Sequence, residues 1–223
     1  MMIRGAATGD LLAGMGRSTN TMEPLADGAV LLRGFAEPEA PALMETLRHV
    51  LATAPFRHMI TPGGHRMSVA MTNCGRAGWV TDRGGYRYDP IDPLTRRPWP
   101  SMPAAFRRLA VRAAAAGGFD GFEPDACLIN RYEPGARLSL HQDRNERDFA
   151  QPIVSVSLGL PAVFLFGGPH RSHRPRRVRL ESGDIAVWGG PARLFFHGVE
   201  PLDDGDDPLT GHCRINLTFR KAL

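Results

Sequence analysis

Residues 152–160, Pro152-Ile153-Val154-Ser155-Val156-Ser157-Leu158-Gly159-Leu160, alternate Val154, Val156 and Leu158 against Ile153, Ser155 and Ser157. A period of two belongs to extended chain, in which successive side chains point to opposite faces. Shorter apolar runs follow at 162–166, 178–180, 185–188, 194–196 and 215–219. Between them lie Gly167-Gly168-Pro169, Ser182-Gly183-Asp184, Gly189-Gly190-Pro191 and an acidic loop at 203–207. Many short strands with regular turn signals predict a sandwich or barrel, and jelly rolls of this kind include metal-binding forms.

Upstream the period changes. Ala29-Val30-Leu31-Leu32 reads as a first strand, and Leu43, Leu47, Val50, Leu51 and Ala54 recur at helical spacing within 38–54. A second helix is expected over 102–116, with Ser101 as its N-cap, Pro103 in its first turn and Gly117-Gly118 as its stop. The expected fold is α+β, helices first and then a β-rich jelly-roll core. Residues 1–22 show no period and are expected to be a flexible lead-in, with Met1 and Met22 both candidate starts and 23–223 a single domain.

Composition bounds the function. The 223 residues suit one domain with a real core, and 43% hydrophobic with 22% charged residues describe a soluble protein. No stretch approaches the roughly 18 consecutive apolar residues of a membrane span. The N-terminus lacks the compact apolar run of a secretory signal, so a cytoplasmic protein with no membrane partner is expected. Cys74, Cys127 and Cys213 are dispersed and form no C-x-x-C pair, which fits reduced thiols. The net charge is +4, and of 27 basic residues only Lys221 is a lysine. Arg171, Arg174, Arg176, Arg177 and Arg179 crowd together with His170 and His173, while Arg83, Arg87, Arg96 and Arg97 are interleaved with Trp79, Tyr86 and Tyr88. Basic side chains mixed with aromatics suit a phosphate backbone with stacked bases, although the same pattern also describes a solvated loop.

The chemistry is carried by His141-Gln142-Asp143, His197, Arg214 and Arg220. On extended chain His141 and Asp143 project to one face, and the alternation Leu138-Ser139-Leu140 supports a strand end there. His197 follows Leu194-Phe195-Phe196 and is expected on another strand. Two imidazoles and a carboxylate on one side of a metal leave sites open opposite, the facial triad of non-haem Fe(II) oxygenases. H-x-D alone is a weak signal, and it gains weight from the last strand. There Arg214, Asn216, Thr218 and Arg220 alternate with Ile215, Leu217 and Phe219, giving one polar, cationic face. Paired Arg beside an amide and a hydroxyl suits a small dicarboxylate. Asn130 and Tyr132 add a same-face polar pair nearby.

These motifs resemble a known family. The run 124–132, then His141-Gln142-Asp143, 153–160, Trp188-Gly189-Gly190, His197-Gly198 and Arg214 to Arg220 are similar to the AlkB family of Fe(II)- and 2-oxoglutarate-dependent nucleic-acid dealkylases. So are Thr61-Pro62-Gly63-Gly64, residues 67–75 and Ile91-Asp92-Pro93, so that the resemblance covers about residue 23 to the end. It implies a double-stranded β-helix core with N-terminal helices and a substrate-binding lid at about 61–100. It implies Fe(II) held by His141, Asp143 and His197, with 2-oxoglutarate and O2 as co-substrates. Arg214 would hold the distal carboxylate, assisted by Tyr132, Asn130 and Asn216, and Arg220 would lie near the iron-bound end. The implied reaction converts 2-oxoglutarate to succinate and CO2 and hydroxylates an N-methyl group, which leaves as formaldehyde. The implied substrates are 1-methyladenine and 3-methylcytosine in single-stranded DNA, with double-stranded DNA or RNA as alternatives, acted on by a monomer.

Such a base must leave the stack to be reached. Trp79 would cover one face of it and His141 the other, with Tyr86, Tyr88 and Arg171 beside the lesion or its phosphates. One departure stands out. Where the family pattern has an acidic residue two positions after the ligand Asp, this chain has Asn145, which predicts altered preference between the two lesions with the iron chemistry intact. Two competing readings remain open at this level: the same chemistry on another substrate such as RNA or a protein side chain, and a jelly-roll module that binds without turnover.

Overall fold

The computed structural model describes residues 21–223. The expected lead-in therefore lies outside the described residues, except at its last two positions. Met22 already belongs to a strand, β1 (Met22–Ala26), which pairs antiparallel with β2 (Ala29–Leu32). An Asp27-Gly28 turn joins them, and Gly28 takes the positive φ of 74° that such a turn requires.

The first helix, α1 (Ala40–Thr53), follows a 3-10 turn at Glu37–Glu39 and buries Leu43, Leu47 and Val50, as its spacing predicts. Then come β3 (Arg57–Ile60), β4 (Arg66–Gly75), β5 (Gly78–Asp82) and β6 (Gly85–Asp89). The second helix, α2 (Ala104–Ala116), ends at Gly117-Gly118 as expected, but Ser101 does not cap it. Its N-cap is Pro103, with ψ at 142° and no side-chain cap bond. A residue before proline is pushed out of the helical region, so helical geometry cannot reach back through Met102 to Ser101. The remaining strands are β7 (Ala126–Tyr132), β8 (Leu138–His141), β9 (Ile153–Gly159), β10 (Ala162–Phe166), β11 (Arg176–Leu180), β12 (Ile185–Trp188), β13 (His197–Val199) and β14 (Arg214–Arg220).

Two sheets face each other. The larger has the order β1-β2-β12-β9-β14-β7-β4-β3 and the smaller the order β11-β10-β13-β8, with β5-β6 forming a third, two-stranded sheet. This is the expected α+β architecture with a jelly-roll core, with one correction. The N-terminal part is not simply helical, since β1 to β4 supply both flanks of the larger sheet. Their pairing partners β12 and β7 lie far along the chain, so no local period announces them. Of the span 61–100 expected as a lid, β4 belongs to the larger sheet while β5 and β6 stand apart from it.

The alternation of the central strands separates two apolar clusters. Val154, Val156 and Leu158 of β9, with Ile215, Leu217 and Phe219 of β14, pack under α1 and α2. Their other faces point between the sheets, where Ile153, Trp188, Phe164, Phe166 and Val178 form the second cluster. The polar side of β14 faces inward too: Arg214, Asn216, Thr218 and Arg220 are all buried. Among the described residues no helix is long and apolar enough to cross a membrane.

Candidate metal centre and co-substrate pocket

His141 closes β8 and His197 opens β13, and the two are directly opposed in the antiparallel register. Opposed residues carry their side chains on one face, and here the ring centroids are 4.5 Å apart. The run Leu194–Phe196 is not the expected strand. A 3-10 turn at Gly190–Ala192 and the bond from Phe195 N–H to the Ala192 carbonyl hold it in a turn, so strand geometry begins only at His197. Asp143 lies two residues beyond β8, and its carboxylate reaches back between the imidazoles. Oδ1 is 3.7 Å from His141 Nε2, and Oδ2 is 3.7 Å from His197 Nε2. One ligand atom from each of the three lies within 4.8 Å of the others.

Each ring is held so that Nε2 faces the cluster. His141 Nδ1 contacts the Ser139 carbonyl at 2.8 Å and His197 Nδ1 the Phe195 carbonyl at 3.0 Å. A carbonyl can only accept, so Nδ1 carries the proton and Nε2 keeps its lone pair for a metal. Burial, then repulsion from His141, lowers the His197 pKa to about 4, so this ring is neutral at physiological pH. For Asp143 burial opposes ionisation, but Arg220 and the two imidazoles outweigh it and hold the carboxyl well below the usual carboxylate range. Arg220 donates Nε and Nη2 to Asp143 Oδ2 at 2.9 and 2.6 Å. Two imidazole nitrogens aimed at the cluster and an ionised carboxylate form the donor set of a facial triad, and these residues fit an Fe(II) ion.

Behind this cluster lies a polar interior. Asn216 donates to Ser155 Oγ at 2.8 Å and accepts from Asn130 Nδ2 at 2.9 Å and Thr218 Oγ1 at 2.8 Å. Arg214 is 1% exposed and donates Nη2 to Ser157 Oγ at 3.0 Å, with its guanidinium 5.0 Å from the Tyr132 ring centroid. Its Nε and Nη1 have no partner among the described residues, and neither do Arg220 Nη1, Asn130 Oδ1 or Trp188 Nε1. A buried, unneutralised guanidinium is costly, and the cost is relieved by an anion that accepts the free N–H groups. The interior therefore fits the distal carboxylate of a small dicarboxylate. Burial pushes the Tyr132 hydroxyl up to about 12, against the pull of Arg214, so it remains a donor.

The residues expected to meet the substrate sit at the mouth, with one exception. Trp79 on β5 stacks on Tyr86 of β6, with centroids 5.7 Å apart and planes 24° apart, and Tyr86 is 48% exposed. The Trp79 indole N–H donates to Asn145 Oδ1 at 3.2 Å. Arg171 donates to the Leu140 carbonyl at 2.7 Å and lies 5.9 Å from the Phe196 ring centroid, which holds it beside both histidine-bearing segments. Tyr88, paired directly with Trp79, turns its hydroxyl inward and donates to Glu146 Oε1 at 2.7 Å. Of the arginine-rich run, Arg177 is paired with Glu200 and Arg179 with Glu181.

Four contributing side chains lie outside the candidate site read from the sequence. Ser155 and Ser157 are visible in hindsight as the polar face of β9. Glu146 is 6% exposed and lies 3.2 Å from Arg193 and 3.4 Å from Arg220, so it is committed to the interior and does not replace a carboxylate at Asn145. Arg193 is 3% exposed, and its only signal is a lone charge set among Ala192, Leu194 and Phe195.

Comparison with known proteins agrees with this geometry. The 2OG-Fe(II) oxygenase superfamily matches residues 28–220. The chain is 60% identical to alpha-ketoglutarate-dependent dioxygenase AlkB of Escherichia coli (strain K12), over 90% of this chain and 93% of that one. It is 35% identical to nucleic acid dioxygenase ALKBH1 of Homo sapiens, over 60% of this chain and 35% of that one. A solved structure, that of OsALKBH1, superposes with a TM-score of 0.80 at 29% identity and covers 90% of this chain and all of that one. With its His-Asp-His cluster and its cationic interior, the chain belongs to the AlkB branch of the 2OG-Fe(II) oxygenases, enzymes that use Fe(II), 2-oxoglutarate and O2.

Proposed function

We propose that this dioxygenase removes N-methyl groups from 1-methyladenine and 3-methylcytosine in single-stranded DNA, a direct-reversal repair. The observation that carries this reading is the convergence of His141, Asp143 and His197 beside a buried Arg214 with two free donors, under an aromatic and basic mouth. His141, Asp143 and His197 would hold the iron. Arg214 would receive the distal carboxylate of 2-oxoglutarate, with Tyr132, Asn130 and Asn216 shaping the pocket, and Arg220 fixes the Asp143 carboxylate. When bound, iron with 2-oxoglutarate and O2 supplies the oxidising power, and 2-oxoglutarate leaves as succinate and CO2. The protein's own task is to bring one methyl group to that centre and keep bulk water away from it.

A methylated base whose pairing edge is blocked leaves the stack at lower cost than an intact one. Trp79, backed by Tyr86, supplies the aromatic face on which the extruded cationic ring stacks, opposite His141. Arg171 faces the adjoining phosphate. The hydroxylated methyl group falls away as formaldehyde and leaves the restored base. The relatives named as nucleic acid dioxygenases support this substrate class. We further infer that the enzyme works as a monomer in the cytoplasm, where its free thiols stay reduced.

The test is release of succinate and formaldehyde from single-stranded DNA carrying one 1-methyladenine or 3-methylcytosine, with His141→Ala as control. Equimolar release that disappears in the variant is expected. Succinate without formaldehyde would redirect the chemistry to another substrate, and neither product from folded, iron-loaded protein would refute it.

A further inference from the structure

Residues 142–152 join β8 to β9 and contain no helix or strand, yet they carry Asp143, Asn145 and Glu146. A loop that must present a metal ligand and contact the base needs an internal tie, because irregular segments otherwise open at low cost. A single buried side chain provides one. Arg193 donates Nη1 to the Asp143 carbonyl at 2.8 Å and Nε to the Gln151 carbonyl at 3.0 Å, at the two ends of the segment. Its Nη2 lies 3.2 Å from Glu146 Oε2 in the middle, and the Phe149 ring covers the guanidinium at 5.3 Å.

Arg193 is equally well fixed from its own side. It follows the 3-10 turn at Gly190–Ala192, its N–H donates to the Gly190 carbonyl at 3.1 Å, and it precedes His197 by four residues. One guanidinium thus spans the two segments that deliver Asp143 and His197.

We propose that Arg193 is a positioning residue that holds the 143–151 loop closed, presetting the Asp143 carboxylate for the metal before the metal arrives. The proposal rests on Asp143 being a ligand. Arg193 touches neither side-chain oxygen of Asp143; it acts through the backbone, while Arg220 orients the carboxylate itself. The planar fork matters, since Nε and Nη1 meet two carbonyls at opposite ends of the loop while Nη2 faces the Glu146 carboxylate as an ion pair. A lysine carries the charge as a point and cannot satisfy all three together. Glu146 would keep Arg220 at 3.4 Å if Arg193 were removed, so the buried carboxylate retains a cation and the fold is expected to persist.

The experiment compares the parent, Arg193→Ala, Arg193→Lys and His141→Ala, all stripped of metal. Each is titrated with Co(II) in the presence of 2-oxoglutarate, and amide hydrogen exchange is followed along the chain. Loss of an outer partner of a ligand characteristically weakens metal affinity by about 10- to 100-fold. That loss is expected for Arg193→Ala, with Arg193→Lys recovering only part of it and exchange accelerating in 143–151 while β9 and β14 stay protected. Co(II) affinity within about twofold of the parent in both variants would overturn the proposal. So would faster exchange spread evenly over the sheets, which is the mark of a purely structural role. Should Arg193→Ala fail to fold, Arg193→Lys carries the same decision. A parent that takes up no more Co(II) than His141→Ala overturns the metal assignment itself, and this inference with it.

Discussion

The indole N–H of Trp79 is donated to Oδ1 of Asn145 at 3.2 Å, which ties the aromatic wall of the mouth to the loop that begins with Asp143. The carbonyl oxygen of the amide is therefore occupied, and its NH2 group is left free. Under the proposed function, an amide here would bring no net charge toward a cationic base. In Asn145→Asp the indole contact survives, because a carboxylate oxygen accepts equally well, and a negative charge is added. Attraction across an exposed pocket is worth about 1 kcal/mol. The expected result is a several-fold shift in the ratio of kcat/KM for 1-methyladenine and 3-methylcytosine, with succinate formation intact. Kinetics on both lesions decide it, and identical selectivity in parent and variant would sink the idea.

Arg214 is the second test. With Nε and Nη1 unpaired and the residue 1% exposed, it is a buried cation lacking its counter-ion. Arg214→Met keeps the length and removes the charge, so the KM for 2-oxoglutarate is expected to rise by at least tenfold, in line with losing about 2 kcal/mol of charged hydrogen bonding. The same change relieves an uncompensated buried charge, so the ligand-free variant is expected to be at least as stable as the parent in urea. A variant with an unchanged KM would remove Arg214 from the pocket.

How far the sequence carried these conclusions depends on the range of each interaction. The period-two patterns of β9 and β14 are local, and the structure places their apolar sides under the helices and their polar sides between the sheets. The polar side of a last strand ordinarily faces water. Here Ser157, Asn130 and Tyr132 meet it from neighbouring strands, and only the fold shows that closure. Leu194–Phe196 looks like a strand because it is apolar, but the turn before it decides its conformation. Glu146 and Arg193 are unreadable in isolation. Their bonds join positions 47 apart (193 − 146), and the contact to Tyr88 reaches a further 58.

His197 sets the response to acid. Its imidazole titrates near 4 in the folded chain against 6.5 when free, because burial and His141 disfavour the cation. Below 6.5 the unfolded chain takes up a proton that the fold refuses until about pH 4. This contribution to stability is therefore complete above pH 6.5 and is lost as pH falls toward 4, amounting to about 3 kcal/mol across that window. In chelator, the urea midpoint of the parent is expected to fall over this range more steeply than that of His197→Gln. Parallel curves for the two proteins would show that His197 is not the group responsible.

Tyr88 supplies the link between the β5-β6 sheet and the loop. Its hydroxyl donates to the buried Glu146 carboxylate at 2.7 Å, and burial keeps the phenol protonated well beyond its ordinary range. Tyr88→Phe leaves the ring packing but strips one donor from a charged acceptor, a loss of about 2 kcal/mol. For a chain of 223 residues that lowers the thermal midpoint by several degrees. Because the hydroxyl bonds Glu146 in the loop that carries Asn145, whereas Arg214 bonds Ser157 on β9, the KM for methylated oligonucleotide is expected to rise and the KM for 2-oxoglutarate to stay constant. Equal rises in both constants would mean that the bond supports the whole interior, and that the two-stranded sheet is not held over the mouth by Tyr88.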